Sequence, residues 1–525
     1  MLREEYDYII IGSGFGGSVS ALRLVEKGYN VLVIEKGKDF SDIKNFPKTN
    51  WNIPKWMWMP KLKFFGIQQL SFFRHISILS GVGVGGGSLV YANTLPKPKS
   101  QFFNHGPWKN LDQWENKLAP YYEIAWKMLG AQTVSKLMDA DNTLEDLAVK
   151  LNIKDKYSPT KVAVYLGEEG KEVDDPYFNG EGPTRTGCIN CGSCMTGCRY
   201  NAKNTLDKNY LYLAQKLGLK ILAENKVVAI MPLNKKNGET GYQVTYKSST
   251  KYFSKKKTIS SRGVIFSGGV LGTIDLLLKL KKSSLPNLSH KLGETIRTNN
   301  EALILNVTDQ KNYDFSKGVA IGSIIETDEN SHLETVRYGS GSGFWRLLAV
   351  PMISETNFCL RILKLFKELI LHPIKWFKIL TVNNFAKNTS IHLFMQHLDS
   401  TLKFSNGLFG MRSQISSGKT PSAFIKAAHH MAYEYCKIIK GKPMVFGLET
   451  ITGIPTTAHI LGGACMGLNA NEGVIDKDNR VFNYENMYIF DGSMISANPG
   501  VNPSLSITAI TEYGMSKIPK KIELP

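Results

Sequence analysis

The sequence predicts an α/β protein. Its first part is a parallel sheet built to bind a dinucleotide, followed by a β-meander, and its second part is a discontinuous α+β region on a mixed or antiparallel sheet. Three observations carry this. Tyr6-Asp7-Tyr8-Ile9-Ile10-Ile11 is an apolar run that stops at glycines, a helical pattern covers Ser18 to Lys27, and Val31-Leu32-Val33-Ile34 is a second buried strand ending at Glu35. Gly12, Gly14 and Gly17 form G-x-G-x-x-G between the first strand and the helix. Far downstream, Gly263-Val-Ile-Phe-Ser267 ends at Gly268-Gly269 and runs into a helix from Leu271 to Lys281, so the chain returns to its opening sheet.

Each residue of the first turn has a physical task in this Rossmann-like arrangement. Gly12 permits the tight turn, Gly14 lets the backbone approach a pyrophosphate, and Gly17 lets the helix pack closely on the strand. Phe15 and Gly16 lie within the glycine turn, and the helix that follows offers free N–H groups and a positive dipole end to the phosphates. Glu35, 18 residues after Gly17, can accept from a ribose hydroxyl. The competing reading is an ordinary glycine-rich turn with a surface glutamate.

With 525 residues the chain can hold about three domains. The motifs divide it into 1–100 (dinucleotide-binding, with a second glycine cluster), 101–200 (a cap with a cysteine cluster), 201–300 (a β-meander returning to the first sheet), 301–450 (substrate domain) and 451–525 (a return to the dinucleotide site). Hydrophobic residues make up 42% and charged ones 21%, the composition of a globular chain. No apolar run is long and charge-free enough to span a membrane. Met1-Leu2-Arg3-Glu4-Glu5 leads straight into the first strand without a signal peptide. The expectation is a cytoplasmic protein, peripheral on a membrane if anywhere.

The net charge of +19 is clustered. Nine basic residues and no acid lie between Asp42 and Asp112, and eight basic residues with only Glu355 and Glu368 lie between Glu334 and Asp399. Such clustering points to an anionic partner. No nucleic-acid motif is present, which leaves an anionic membrane surface. Trp51, Trp56, Trp58, Phe64 and Phe65 sit among the lysines of the first window. In the second, Arg361, Lys364, Lys367, Glu368, His372, Lys375 and Lys378 form a basic stripe on a broadly apolar helix with a kink at Pro373. A helix of this kind can lie in a bilayer interface; the alternative is a core-packing helix with a solvated basic face.

Four further stretches stand out. Ser80 to Asn93 holds Gly81, Gly83, Gly85, Gly86 and Gly87, suited to a backbone pressed on a flat ligand, with Ser88 and Asn93 as polar contacts. Trp108 to Leu151 is helical, with one helix before Pro120, one after it and one from Leu144 to Leu151; Ala202 to Leu217 reads as another helix. Cys188, Cys191, Cys194 and Cys198 show the C-x2-C-x2-C-x3-C spacing of a ferredoxin run, although Arg199 stands where that run has proline. An iron–sulfur cluster, a zinc site and a compact loop with free thiols all remain open. Near the C-terminus come Thr457-Ala-His459-Ile-Leu-Gly462-Gly463, Asp491-Gly492-Ser493 and Gly500-Val501-Asn502-Pro503, the last opening a final helix. Capping of that helix is the plain reading of Asn502, and a turn is the plain reading of Asp491-Gly492.

Together these residues resemble the glucose–methanol–choline (GMC) oxidoreductase superfamily. The resemblance rests on Gly12 to Gly17 with Glu35, Gly81 to Asn93, His459 to Gly467 and Asp491 to Asn502, in that order across nearly the whole chain. His459-Ile-Leu-Gly-Gly463, Asp491-Gly-Ser493 and Gly500-Val-Asn-Pro503, with the cysteine run and Ala202-Lys-Asn-Thr-Leu-Asp207, are most similar to the bacterial cholesterol-oxidase-like branch. The resemblance implies FAD, held by both glycine clusters with Val228, Gly268, Asp491, Gly492, Asn502 and Pro503. It implies His459 as the base-like group accepting or holding the hydroxyl proton of an alcohol, Asn502 as a hydrogen-bonding partner of the substrate oxygen or the reduced flavin, and Glu334 as the acid of a sterol pocket. Ile460 stands where the branch commonly has proline. No histidine lies between His75 and His105, so the FAD is expected to be non-covalent. Three functions follow: an oxidase of a sterol or other lipid alcohol using dioxygen, a dehydrogenase with an iron–sulfur relay to a quinone or carrier, and a non-catalytic, membrane-associated flavin protein. The pattern sets no oligomeric state.

Overall fold

The computed structural model describes residues 5–408, 410–416 and 420–522. Met1 to Glu4, part of the stretch behind the reading of the N-terminus, lie outside the described residues. Strands Lys220–Leu222, Val31–Ile34, Glu5–Ile11 and Lys257–Phe266 lie side by side in that order, all parallel. Two partners share the far edge of Lys257–Phe266. Met487–Ile489 pairs in parallel with its C-terminal half, and Tyr242–Ser248 pairs antiparallel with its N-terminal half before hairpinning to Asn225–Pro232. Ile9, Ile10, Val33, Val264, Ile265, Phe266 and Ile489 are wholly buried, as expected of strands covered on both faces. Ile11, Ile34, Phe266 and Ile489 end on one edge, where open α/β sheets bind their ligands.

The second sheet has seven strands and is antiparallel throughout. Its order is Ala349–Pro351, Lys442–Phe446, Ala302–Val307, Thr389–Gln396, Ser331–Val336, Ile321–Asp328 and Tyr157–Pro159. Helices Asp139–Lys150 and Lys426–Ile438 pack together against it. A fully buried ion pair ties the first of these helices to the sheet, with Arg337 Nη2 2.6 Å from Asp141 Oδ1.

Several local expectations are corrected. The first helix begins at Phe15, right after the glycine turn, rather than at Ser18. A single helix, Trp114–Met128, runs through Pro120. Losing one N–H is outweighed there by burial of Trp114, Leu118, Tyr122 and Ala125 on one face. The helix expected over Ala202 to Leu217 shrinks to Tyr210–Lys216. The Lys203 ammonium explains this: it donates to the carbonyls of Leu89, Tyr91 and Cys194, which holds its segment extended. The basic amphipathic run breaks at His372 into helices Phe358–Leu371 and Pro373–Leu380, with proline at the first helical position. Among the described residues no helix is long and apolar enough to cross a membrane.

Candidate active site

A cavity of about 700 Å³ runs from the carboxyl edge of the parallel sheet to the face of the antiparallel one. At one end lie Glu35, Asn225 and Val228; at the other lie Leu305, Tyr338, Trp345, Ile391 and Phe446. His459 and Asn502 line it between.

The two glycine clusters close on each other along the first half. Gly12 has φ +98°, and a Cβ there would lie 2.3 Å from the Ser267 carbonyl oxygen, so the turn accepts only glycine. Gly86, also at positive φ, would place a Cβ 2.6 Å from the Gly14 Cα. By contrast, a Cβ on Gly14 meets no protein atom nearer than 4.0 Å. Its side faces the cavity. The helix it caps has no side-chain cap and no acid in its first turn, so its N–H groups are free for an anion.

Glu35 is buried, and its carboxylate accepts from Ser13 N at 3.1 Å, Ser13 Oγ at 2.9 Å and Gly37 N at 2.8 Å. It therefore braces the turn as well as lining the cavity. Ser13, which sequence reasoning passed over, is the other half of that brace. Asp491 is likewise held, accepting from Thr273 Oγ1 at 2.5 Å and from Ser493 N at 2.8 Å.

Of the residues expected at this site, Gly12, Gly14, Phe15, Gly16, Glu35, Gly81, Gly86, Gly87, Val228, Gly268, Asp491, Gly492, Asn502, Pro503 and His459 line one cavity. Gly17, Gly85, Ser88 and Asn93 stand outside that lining. A Cβ on Gly17 would lie 2.1 Å from the Gly12 carbonyl oxygen, so Gly17 serves helix packing. The Ser88 hydroxyl points into the protein, donating to Gly85 O at 2.7 Å and accepting from Leu206 N at 3.1 Å.

His459 follows the short strand Thr456–Thr457, which pairs in parallel with Ser77–Gly81 of the second glycine segment. The Ile460 that replaces proline leaves no slack in the loop. Leu461 and Arg297 exchange backbone hydrogen bonds of 2.7 and 2.9 Å, and Arg297 is itself anchored by Asp399. His459 Nδ1 lies 2.7 Å from Glu301 Oε2, while Glu301 Oε1 accepts from Ala458 N at 2.6 Å. Burial works to raise the Glu301 carboxyl, but the His459 charge and these hydrogen bonds outweigh it and hold the group below its ordinary range. Burial likewise works to lower His459, but the charge of Glu301, its hydrogen bond and the charge of Glu334 carry it above the ordinary histidine value. An ionised Glu301 accepts, so Nδ1–H donates, and the neutral imidazole keeps its lone pair on Nε2. Glu301, just before strand Ala302–Val307, carries no motif, and only the fold reveals it. Behind it the buried Glu449 carboxyl is pushed up to about 8 by burial, with the Glu301 charge adding to the rise.

The Asn502 side chain caps nothing: Pro503 is the residue at the helix boundary, and Asn502 Oδ1 is buried without a partner. Glu334 is corrected in place. It is wholly buried outside the cavity lining, with neither carboxylate oxygen hydrogen-bonded and His332 Nε2 3.7 Å away. Its charge still acts on His459.

The cysteine run is also corrected. Among the described residues no group of three or more His, Cys, Asp or Glu side chains is placed to hold a metal, and all seven cysteines are free. Burial pushes the Cys188 thiol far up and the Cys194 thiol up to about 11. The four cysteines line a small void of about 20 Å³, and the Cys194 carbonyl shares the Lys203 ammonium with the Leu89 and Tyr91 carbonyls of the second glycine segment. A zinc ion or iron–sulfur cluster does not fit this arrangement.

A flavin dinucleotide does fit the main cavity. A glycine-lined half with free helix N–H groups leads to an unpartnered asparagine oxygen, a histidine, and then an apolar end. Comparison with known proteins agrees. Residues 6–299 match the N-terminal and residues 447–511 the C-terminal part of GMC oxidoreductases. The chain is 44% identical to a cholesterol oxidase of Acinetobacter baumannii, across 98% of this chain and 95% of that one. It is 39% identical to a cholesterol oxidase of Mycobacterium tuberculosis, across 99% and 92%. Among solved structures, pyridoxine 4-oxidase from Mesorbium loti superposes with a TM-score of 0.61 at 12% identity, covering 98% of this chain and 99% of that one. Formate oxidase superposes at 0.62 and 12%, covering 98% of each, so both share the fold. The matches span both glycine clusters and the His459–Asn502 segment, and the chain belongs to the GMC oxidoreductase family of alcohol-oxidising flavoenzymes.

Proposed function

We propose that this protein oxidises the secondary hydroxyl of a sterol or a comparably bulky lipid alcohol, with dioxygen as final acceptor and non-covalent FAD as cofactor. The observation that carries the reading is His459: it lines the cavity where the glycine-rich half meets an apolar wall of Leu305, Tyr338, Trp345, Ile391 and Phe446. The likeness to two cholesterol oxidases across nearly the whole chain supports the substrate class.

Bound FAD would supply a two-electron acceptor for the hydride of the carbinol carbon. The protein's part is geometric and acid–base. Gly12, Gly14, Gly16 and the helix N-terminus would hold the pyrophosphate, and Glu35 would face the ribose. The apolar wall excludes water and lays a flat hydrocarbon against the ring site. His459 Nε2 takes the hydroxyl proton, which eases loss of the hydride. Glu301 fixes the imidazole tautomer and stabilises the imidazolium that forms. Asn502 holds the substrate oxygen by hydrogen bonding. Glu334, outside the cavity lining, acts through its charge on His459.

A panel of sterols, long-chain alcohols and short alcohols, assayed for hydrogen peroxide in air and for dye reduction without oxygen, tests the reading. Peroxide with sterols and little with short alcohols is the expected result. Rapid dye reduction without peroxide would remove the oxidase half of the proposal, and no turnover of any bulky alcohol would remove the substrate class.

A further inference from the structure

Helices Phe358–Leu371 and Pro373–Leu380 turn both apolar and basic side chains outward. Part of their polar stripe is tied to the protein: Arg361 is buried, with its guanidinium on the carbonyls of Thr450, Glu355 and Thr356. Glu368 pairs with Lys442 at 2.9 Å, and Lys375 pairs with Asp309 at 3.2 Å. Trp376 and Ile379 plug the core beneath. The apolar stripe faces outward, with Ile370 73%, Ile374 72% and Phe377 68% exposed and Leu363 and Phe366 beside them. An exposed apolar face of this size marks an interaction surface.

The fold also joins the two basic windows. Trp56 of the first stacks edge-on against Phe344 and Trp345 of the second, at 5.0 and 5.3 Å, in the same core cluster as Trp376 and Ile379. Lys55, Lys61, Lys63, Lys367 and Lys378 are exposed on these segments. Trp345 is at once part of this cluster and the wall of the apolar end of the cavity, and the two residues after Arg346, Leu347 and Leu348, project outward. Apolar side chains ringed by lysines match an anionic bilayer surface rather than a neutral protein groove.

We propose that this helix pair docks on an anionic lipid bilayer and seats the apolar end of the cavity at the membrane, so that a lipid alcohol passes from bilayer to site without crossing water. The delivery clause rests on the substrate class proposed above; the docking itself does not.

The test is flotation of the FAD-loaded protein with phosphatidylcholine vesicles, with and without phosphatidylserine. Two variants are compared: Leu363→Ser/Phe366→Ser/Ile370→Ser and Lys364→Glu/Lys367→Glu/Lys378→Glu. Cys359, exposed at the start of the first helix, takes an environment-sensitive dye as an independent reporter of insertion. The native protein should float with the anionic vesicles, with a blue-shifted dye. Each variant should lose at least about tenfold in partition. Turnover of an alcohol presented in cyclodextrin should stay unchanged in both, while turnover of the same alcohol in anionic vesicles falls. Undiminished flotation of both variants would overturn the proposal. So would a native dimer that the apolar variant converts to monomers without loss of flotation, since the face would then serve a second copy. Flotation reads docking whether or not any sterol is oxidised, so failure of the substrate reading leaves this result intact.

Discussion

His459 Nδ1 and Glu301 Oε2 lie 2.7 Å apart, joining two residues 158 positions distant in the chain. This contact orients the histidine proposed as the base. Replacing Glu301 by Gln keeps the volume and removes the charge that carries the imidazole above its ordinary value. Activity that needs neutral His459 rises with pH through its pKa, so the acid limb of kcat/KM in the native enzyme should lie above about 6.5. In Glu301→Gln that limb should move to lower pH, and kcat should fall about tenfold or more. A pH–rate profile of both proteins checks the direction; an unmoved limb would separate Glu301 from the base.

The same pair makes stability pH-dependent in two senses. His459, raised in the folded state, contributes below its unfolded value and loses that contribution as pH rises through the folded one. Glu301, lowered in the folded state, contributes above its unfolded value and loses it as pH falls. Thermal unfolding of native and Glu301→Gln protein should therefore differ most between the carboxylate and histidine ranges, with the difference lost as pH falls through the carboxylate range and reduced as it rises through the raised histidine value.

Two glycines of one motif should fail differently. Gly14→Ala meets no nearby protein atom, so the protein should fold with near-native stability yet lose most of its flavin. Gly12→Ala places a Cβ against the Ser267 carbonyl in a left-handed backbone, and should cost about 3 kcal/mol or more of stability. Flavin absorbance per mole of protein and urea unfolding distinguish the two outcomes.

Breaking the Asp141–Arg337 pair with Arg337→Met leaves a buried carboxylate beside Ser323 without its cation. The expected loss is about 3 to 5 kcal/mol in denaturant unfolding. A change under about 1 kcal/mol would mean the pair is replaceable.

Much of the parallel sheet was legible because its strands are continuous apolar runs punctuated by glycine, a signal that needs no partner. Gly12, Gly14, Gly86, His459 and Asn502 could be found because short-range motifs place them. The helix over Ala202 to Leu217 misled because the Lys203 ammonium spends its bonds on three distant carbonyls, which no local pattern reveals. The cysteine spacing misled for a similar reason: spacing says what a loop could reach, not where burial and packing leave the thiols. Glu301 was illegible because an isolated glutamate before a strand gains its meaning only when the antiparallel sheet meets His459. The basic helix could be found, but that Lys375, Glu368 and Arg361 are tied to the protein depends on Asp309, Lys442 and the Thr450 carbonyl, all from other elements.

His459 is the proposed proton acceptor beside a flavin that a sterol can reduce. Anaerobic mixing of the FAD-loaded protein with cholesterol should bleach the flavin absorbance. In His459→Ala the bleaching should slow by about a hundredfold or more while flavin content stays the same. Equal bleaching rates in the two proteins, or none in the native one with any 3β-hydroxysteroid, would contradict it.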